Sequence, residues 1–307
     1  MHCLVIGKTG QLARALQAEI AADHFSATFL DRSDCDLAAP EALLRECLQP
    51  HLDKGDIIII AAAYTAVDQA ETDFETAYRV NAVAPGIIAE LAARADIPVI
   101  HISTDYVFDG QARKPYATDA PVAPVNAYGR TKLAGEEAVR TAQPSAAILR
   151  TSWVYDVSGR NFLTTMLRLG ASRDTLDVVA DQTGRPTHAR DLARACMVVA
   201  KALCANDPAA SAIFHVSNSG QPTSWAGFAR AIFSATSSWR DHAVSVRDIA
   251  TADFPTPARR PAYSVLDLEP FETTFDFAMP DWQVSLHRAL QNHPMIVAGK
   301  TRADDDT

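Results

Sequence analysis

Two short segments, Ser103-Thr104-Asp105-Tyr106-Val107-Phe108 and Tyr128-Gly129-Arg130-Thr131-Lys132, contain the residue types of an acid–base site. Tyr128 and Lys132 stand four apart, so a helix would place both on one face, where the ammonium would favour the ionised phenol. Such tuning matters because an unperturbed tyrosine, with a pKa of about 10, transfers protons poorly near neutral pH. Thr104 would add a hydroxyl to the same pocket. Taken alone, Tyr-x-x-x-Lys is weak, since that spacing on an amphipathic helix is more often a packed aromatic beside a solvated lysine.

The elements that must position these residues can be read from the chain. His2-Cys3-Leu4-Val5-Ile6 is a short apolar run that reads as a buried strand and breaks into Gly7-Lys8-Thr9-Gly10-Gln11-Leu12-Ala13. This is a glycine-rich strand-to-helix turn. Gly7 permits the tight turn, and Gly10 lets the backbone approach a pyrophosphate resting on the N-terminus of a helix that begins near Gln11. Ala13 takes the third glycine position, where close helix–strand packing is the only requirement. Ala27-Thr28-Phe29-Leu30 is the next strand candidate and ends in Asp31-Arg32, where a ribose-binding acid is expected. Asp31 suits the 2′-hydroxyl of NAD, whereas Arg32 suits the 2′-phosphate of NADP, so the choice stays open.

Asp56-Ile57-Ile58-Ile59-Ile60 is apolar on both faces, as a central parallel strand requires, and leads into the small residues Ala61, Ala62 and Ala63. A helical stretch is predicted from Thr72 to Ala95. Pro98-Val99-Ile100-His101-Ile102 then delivers Ser103 and Thr104 to a strand's carboxyl end, the edge where open α/β sheets bind ligands. The second half alternates helix candidates (Phe162 to Leu169, Arg190 to Leu203) with short runs such as Leu176-Asp177-Val178-Val179 and Ile213-Phe214-His215-Val216. It reads as a smaller α/β lobe.

With these residues in place, the chain resembles the short-chain dehydrogenase/reductase superfamily in its extended form and, more narrowly, the dTDP-4-dehydrorhamnose reductases. The resemblance rests on the glycine turn, Ala61-Ala62-Ala63-Tyr64-Thr65-Ala66-Val67-Asp68, and the Thr104 and Tyr128 segments through Glu136. It continues in Arg150-Thr151-Ser152-Trp153-Val154-Tyr155, Asn161-Phe162, Asp181-Gln182-Thr183-Gly184-Arg185-Pro186-Thr187 and Phe254-Pro255-Thr256-Pro257-Ala258-Arg259-Arg260-Pro261. Nearly the whole chain is covered.

The resemblance implies a Rossmann-type doubly wound parallel sheet with a second, smaller α/β substrate lobe. It places the dinucleotide-binding domain over residues 1–150, with later segments returning to it, a sugar-nucleotide lobe mainly over 151–295 and a disordered polar tail over 296–307. The implied reaction is reduction of the C4 ketone of dTDP-4-dehydro-6-deoxy-L-mannose to dTDP-L-rhamnose by NADPH, with NADH as an alternative. Tyr128 would protonate the alkoxide, Thr104 would orient the carbonyl, and Lys132 would hold the nicotinamide ribose and lower the phenol's pKa. The cofactor would be held by Gly7, Thr9, Gly10, Gln11, Leu12, Asp31, Arg32, Asp36, Leu37, Ala61, Ala62, Ala63 and Thr65, together with Tyr128 and Lys132. Asp105 and Trp153 match substrate positions, although Trp153 could equally be core. A guanidinium fork suits a pyrophosphate, which points to the Arg259–Arg260 pair, Arg260 above all.

The chain departs from the family pattern at Ala13 and at Ile102, where relatives carry a tyrosine. Some relatives are magnesium-linked dimers through surface glutamates; Ala15 and Arg190 are not ligands, so no metal is carried over and a homodimer remains a family expectation. Two rival readings share the pattern. Dehydratases of the superfamily follow Thr-Asp with a glutamate, where this chain has Tyr106, while epimerases are opposed only by the block matches. A regulatory binding subunit of the methionine adenosyltransferase type would not need the intact Thr104, Tyr128 and Lys132.

Composition fits a globular enzyme. The 307 residues are 48% hydrophobic and 21% charged, and no apolar run approaches the roughly 18 residues that span a bilayer. With no signal-peptide pattern, a cytoplasmic location is expected. A formal net charge of −9 disfavours a nucleic-acid partner. Cys3, Cys35, Cys47, Cys196 and Cys204 lack C-x-x-C spacing, so free buried thiols are expected rather than disulfides or a zinc site.

Overall fold

A computed structural model describes residues 1–291 and 293; the segment 296–307, expected to be a polar tail, lies outside the described residues. The first half alternates strand and helix: β1 (His2–Ile6), α1 (Gln11–Ala22), β2 (Ser26–Leu30), α2 (Glu41–Leu52), β3 (Ile57–Ile60), α3 (Phe74–Tyr78), α4 (Ala84–Arg94), β4 (Val99–Thr104), α5 (Ala127–Ala142) and β5 (Ala147–Thr151). The second half holds β6 (Val154–Tyr155), α6 (Phe162–Gly170), β7 (Thr175–Val179), β8 (Thr183–Gly184), β9 (Thr187–His188), α7 (Ala189–Cys204), β10 (Ile213–His215), β11 (Thr223–Ser224), α8 (Trp225–Ala235), β12 (Ser245–Ile249), α9 (Glu269–Phe275) and α10 (Trp282–Gln291).

The main sheet is parallel with order β2-β1-β3-β4-β5-β10. The chain crosses from β2 over β1 to β3 through α2, so the winding reverses at the β1/β3 boundary. That reversal opens a crevice at the carboxyl ends of β1 and β3, where the Gly7 turn and the Ala61–Ala63 segment emerge. Successive strand residues point to opposite faces, and the cores divide accordingly. Val5, Ile57 and Ile59 pack with Leu16 of α1 and Val199 of α7. Leu4, Ile58 and Ile60 pack with Leu48 of α2, Ile88 of α4 and Val139 of α5. With both faces covered, β3 is four buried isoleucines rather than an alternating strand.

A third core forms the smaller lobe, where α6, α8 and α10 enclose Tyr155, Phe228, Ile232, Trp282 and Leu286 beside the parallel β7–β12 pair. The chain does not pass into this lobe once. After β9 it returns as α7 against α1 and as β10 on the edge of the main sheet, then re-enters the lobe with α8.

The stretch expected to be helical from Thr72 to Ala95 is helical without a break over 74–94, and it passes from α3 to α4 through a π-helical turn over Arg79–Val83. Pro85 has no N–H to donate to the carbonyl of Asn81, so the regular ladder cannot continue through this point. Free thiols are found at Cys3, Cys196 and the half-buried Cys204, but Cys35 and Cys47 form a disulfide with Cα atoms 5.8 Å apart. No local spacing signals this pair. The β2–α2 loop folds back onto α2 and sets Cys35 in the apolar cluster of Leu44 and Leu48, beside Cys47.

Candidate active site

The glycine turn is held against its neighbours by the backbone. Gly7 has φ +120°, a conformation that side chains strongly disfavour, and a Cβ there would sit 3.2 Å from the Ala62 nitrogen. Its N–H donates to Leu30 O at 2.7 Å, while the N–H groups of Ala61 and Ala62 both donate to Ile6 O. Three strand ends are thereby tied into one cradle. Gly10 is the N-cap of α1 with no side-chain cap, and nothing lies within 4 Å of where its Cβ would be. The buried Gln11 Oε1 has no hydrogen-bond partner. Open N–H groups at a helix N-terminus beside vacant space suit a pyrophosphate, so the residues present fit a dinucleotide.

Thr9 is exposed, and its carbonyl accepts from Arg14 Nη1 at 2.9 Å. Leu12 is buried in the core beneath the turn rather than facing the crevice. Asp31 sits at the end of β2, with Ser33 and Asp34 N–H donating to its Oδ1; the Ser33 hydrogen bonds, above all, hold its carboxyl down at about 2. Arg32 turns outward and pairs with Asp36 at 3.2 Å. Leu37 is buried against α2, and Thr65 is exposed.

At the carboxyl end of β4, Thr104 caps a short 3-10 turn; its Oγ1 accepts from Tyr106 N at 3.2 Å and donates to Asp105 Oδ1 at 2.9 Å. Helix α5 delivers the other two residues. Asn126 is its N-cap, accepting from Gly129 N at 2.8 Å, so Tyr128 lies in the first turn and Lys132 one turn on. Gly129 is required for this approach, because a Cβ there would come 2.2 Å from Tyr106 O.

The electrostatics differ from the sequence expectation. Lys132, 2% exposed, does not pair with the phenol: its Nζ donates to Ile102 O at 2.6 Å and lies 3.3 Å from Nε2 of the buried His101. Burial pulls its pKa down to about 8, against a smaller upward pull from Glu136. Tyr128 is pushed up, first by burial and then by Asp105, with its hydrogen bond to Thr104 acting the other way. Lys132 is not among the causes, so the free site holds the phenol protonated. Burial also pushes Asp105 up to about 7, opposed by hydrogen bonds from Thr104 and Ser264.

Beyond this centre, Trp153 stacks face to face on Trp225, centroids 3.6 Å apart, and lies over Gly184 next to Ser264. Because Ser264 also bonds Asp105, Trp153 borders the Thr104 pocket, and its half-buried indole is not simply core. Its φ of +49° is an uncommon backbone state for a large residue. Arg260 makes a bidentate pair with Asp68, at 3.0 and 2.8 Å, and hydrogen-bonds Tyr106, which meets Tyr128 edge to face at 5.7 Å. It lines a cleft of about 340 Å³ with Asp109, Asp181, Thr251 and Arg259. Thr104, Asp105, Tyr128 and Trp153 thus lie together, Arg260 is joined to them through Tyr106, and Lys132 is buried one turn along α5 from Tyr128.

Several contributors carry no sequence signal strong enough to find them. Asn81 joins the Tyr64 backbone to Thr131 of α5 through three hydrogen bonds, fixing the crevice wall to the catalytic helix. Glu136 takes a buried bidentate contact from Arg150, at 2.9 and 2.7 Å. Asn126 Nδ2 donates to Arg259 O, coupling the start of α5 to the arginine loop. Only Asn126, a typical cap residue ahead of a helix, could have been picked out by type and position.

Comparison with known proteins agrees with this architecture. The family described as "RmlD substrate binding domain" matches residues 1–295. A dTDP-4-dehydrorhamnose reductase of Sinorhizobium fredii is 44% identical over 94% of this chain and 97% of its own length. A probable dTDP-4,6-dihydroxy-2-methyloxan-3-one 4-ketoreductase of Streptomyces antibioticus is 40% identical over 98% and 97%. The crystal structure of a Bacillus anthracis dTDP-4-dehydrorhamnose reductase in complex with NADP superposes with a TM-score of 0.85 at 34% identity, covering 94% of this chain and 98% of that one. Full-length matches at this level, around a crevice that assembles the glycine turn with Thr104, Tyr128 and Lys132, show that the chain belongs to the dTDP-4-dehydrorhamnose reductase family.

Proposed function

We propose that this chain reduces the C4 ketone of dTDP-4-dehydro-6-deoxy-L-mannose to dTDP-L-rhamnose, in the cytoplasm, with NADPH or NADH as reductant. The observation that carries this reading is Thr104 and Tyr128 on adjoining elements, with a protonated phenol, at the mouth of a dinucleotide cradle. A bound nicotinamide supplies the hydride. Tyr128 Oη donates the proton that converts the nascent C4 alkoxide to a hydroxyl, and its upward-shifted pKa keeps that proton in place until negative charge develops. The Thr104 hydroxyl orients the ketone oxygen, and the Lys132 ammonium, held at the Ile102 carbonyl, adds a buried positive charge one helical turn along α5 from Tyr128.

Substrate residues follow from the same geometry. Asp105 Oδ2 is buried without a partner and takes a sugar hydroxyl; Trp153 supplies a flat apolar wall; Arg260 meets the pyrophosphate from the cleft. In this reading residues 1–150 with α7 and β10 form the dinucleotide domain, and the remaining segments hold the sugar nucleotide. We carry the homodimer as the family's expectation, which sedimentation of the purified chain tests.

The deciding experiment supplies the dTDP-4-keto sugar, made in situ, and follows nicotinamide absorbance with NADPH and NADH in parallel. Oxidation that requires the sugar and falls by roughly two to four orders of magnitude in Tyr128→Phe supports the reading. Cofactor binding without oxidation would sink it.

A further inference from the structure

His101 is a polar residue in an apolar setting. It is fully buried in β4, between Ile60 of β3 and Ile148 of β5 in the parallel register, and Ile88 of α4 packs on the same face of the sheet. Helix α5 lies closely over it because residue 135 is glycine: a Cβ there would run into the Asn81 carbonyl and come 3.4 Å from His101 Nε2. The charged group that faces the ring is Lys132, whose Nζ is 3.3 Å from Nε2 and donates to Ile102 O at 2.6 Å. Glu136, one turn further along α5, is committed to Arg150 of β5 and Ser103 of β4. An ammonium offers only donors, so the contact is favourable only when Nε2 carries a lone pair and the ring proton sits on Nδ1.

We propose that neutral His101 is a positioning residue for Lys132, its Nε2 and the Ile102 carbonyl together fixing two of the ammonium's three N–H groups so that the third is left for the bound ligand. A lysine stem is flexible and its charge strongly hydrated, so a buried ammonium needs fixed acceptors to keep both its place and its proton. Burial, and then the Lys132 charge, hold the imidazole well below its usual pKa, which keeps it in the neutral form that can accept. The cost falls on Nδ1, which is buried with no hydrogen-bond partner. His101 neither gives nor takes a proton in the reduction. The role assigned to Lys132 rests on the reductase reading above, whereas the pairing itself does not.

The test reads the ring directly and the kinetics separately. In the chain labelled with 15N-histidine, the signals missing from His101→Gln belong to His101. They are expected to show a neutral ring protonated on Nδ1, unchanged from roughly pH 5.5 to 9. A ring protonated on Nε2, or one that titrates near 6.5, overturns the proposal with or without turnover. In His101→Leu the ammonium loses an acceptor, so a fall of kcat/KM that starts near pH 8 should begin about one unit lower, about tenfold in the lysine's proton affinity. His101→Gln places a carbonyl oxygen at similar reach and should return the fall to within about 0.3 of a unit. An unmoved fall in His101→Leu with the rate lowered equally at every pH, or a displaced fall in His101→Gln, overturns the proposal. If His101→Leu does not fold, the tautomer and the His101→Gln profile decide. Absence of sugar-dependent turnover in the unaltered chain ends the reductase reading and leaves the tautomer test in force.

Discussion

Two buried ionisable groups at the site give opposite pH signatures. Lys132 is depressed to about 8, so the free enzyme loses this cation as pH rises through 8. Because kcat/KM reports the free enzyme, it should fall above pH 8 with a single ionisation, and the fall should be absent in Lys132→Met at its lower residual rate. A profile flat to pH 10 would remove Lys132 from the charge-stabilising role. Asp105 concerns stability. Its folded pKa is raised to about 7 from 3.8, so the native state holds a proton that the unfolded chain has released across that window. Its contribution is present below pH 4 and is lost as pH rises through 7, by at most about 4 kcal/mol. Asp105→Asn should therefore raise the melting temperature at pH 8 and give no gain at pH 4. A gain independent of pH would show that burial of the charge is not the cause.

Elements decide whether these residues meet at all. Helix α5 approaches the Thr104 turn closely only because residue 129 lacks a side chain. On an isolated helix, Gly→Ala would stabilise by about 1 kcal/mol. Here the added Cβ would meet Tyr106 O at 2.2 Å, with Pro124 Cβ at 3.0 Å, and the helix must shift. Gly129→Ala is expected to destabilise by roughly 1–3 kcal/mol and to lower kcat at least about tenfold by displacing Tyr128, with cofactor affinity little changed. Thermal melts with single-turnover kinetics check both parts, and a stabilised, fully active variant would refute the close-packing argument. The same scale explains what could be read from sequence. Gly7, Asp31, Thr104, Tyr128 and Lys132 stand out in the sequence by type and local spacing, although the spacing of Tyr128 and Lys132 did not disclose that the ammonium would turn to the Ile102 carbonyl. The Arg260–Asp68 pair, 192 residues apart, the Trp153–Trp225 stack and the Cys35–Cys47 disulfide arise only when separate elements pack. The π-turn at Asn81 leaves only Pro85 as a mark in the sequence, and a proline inside a helical run does not say whether the helix ends, kinks or widens by a π-turn.

At the scale of the whole molecule, the lobes are interwoven rather than strung in sequence. The smaller core draws on α6, α8 and α10, and between α6 and α8 the chain returns to the main sheet as α7 and β10. Contacts across the crevice add to this coupling. Arg14 of α1 spans from Thr9 O to Ser158 O, with Gly159 packed against its guanidinium, while Asn126 Nδ2 donates to Arg259 O and Arg260 pairs with Asp68. Neither core can be lost without stranding strands or helices of the other. The chain should accordingly unfold in one calorimetric transition despite having separate apolar clusters. NADPH at about a hundredfold excess over its Kd should move that entire transition upward, equivalent to about 2.7 kcal/mol, although its cradle belongs to the first half alone. Two endotherms, with only one responding to cofactor, would mean that the smaller lobe folds independently and that the returning α7 and β10 do not bind the halves into one unit.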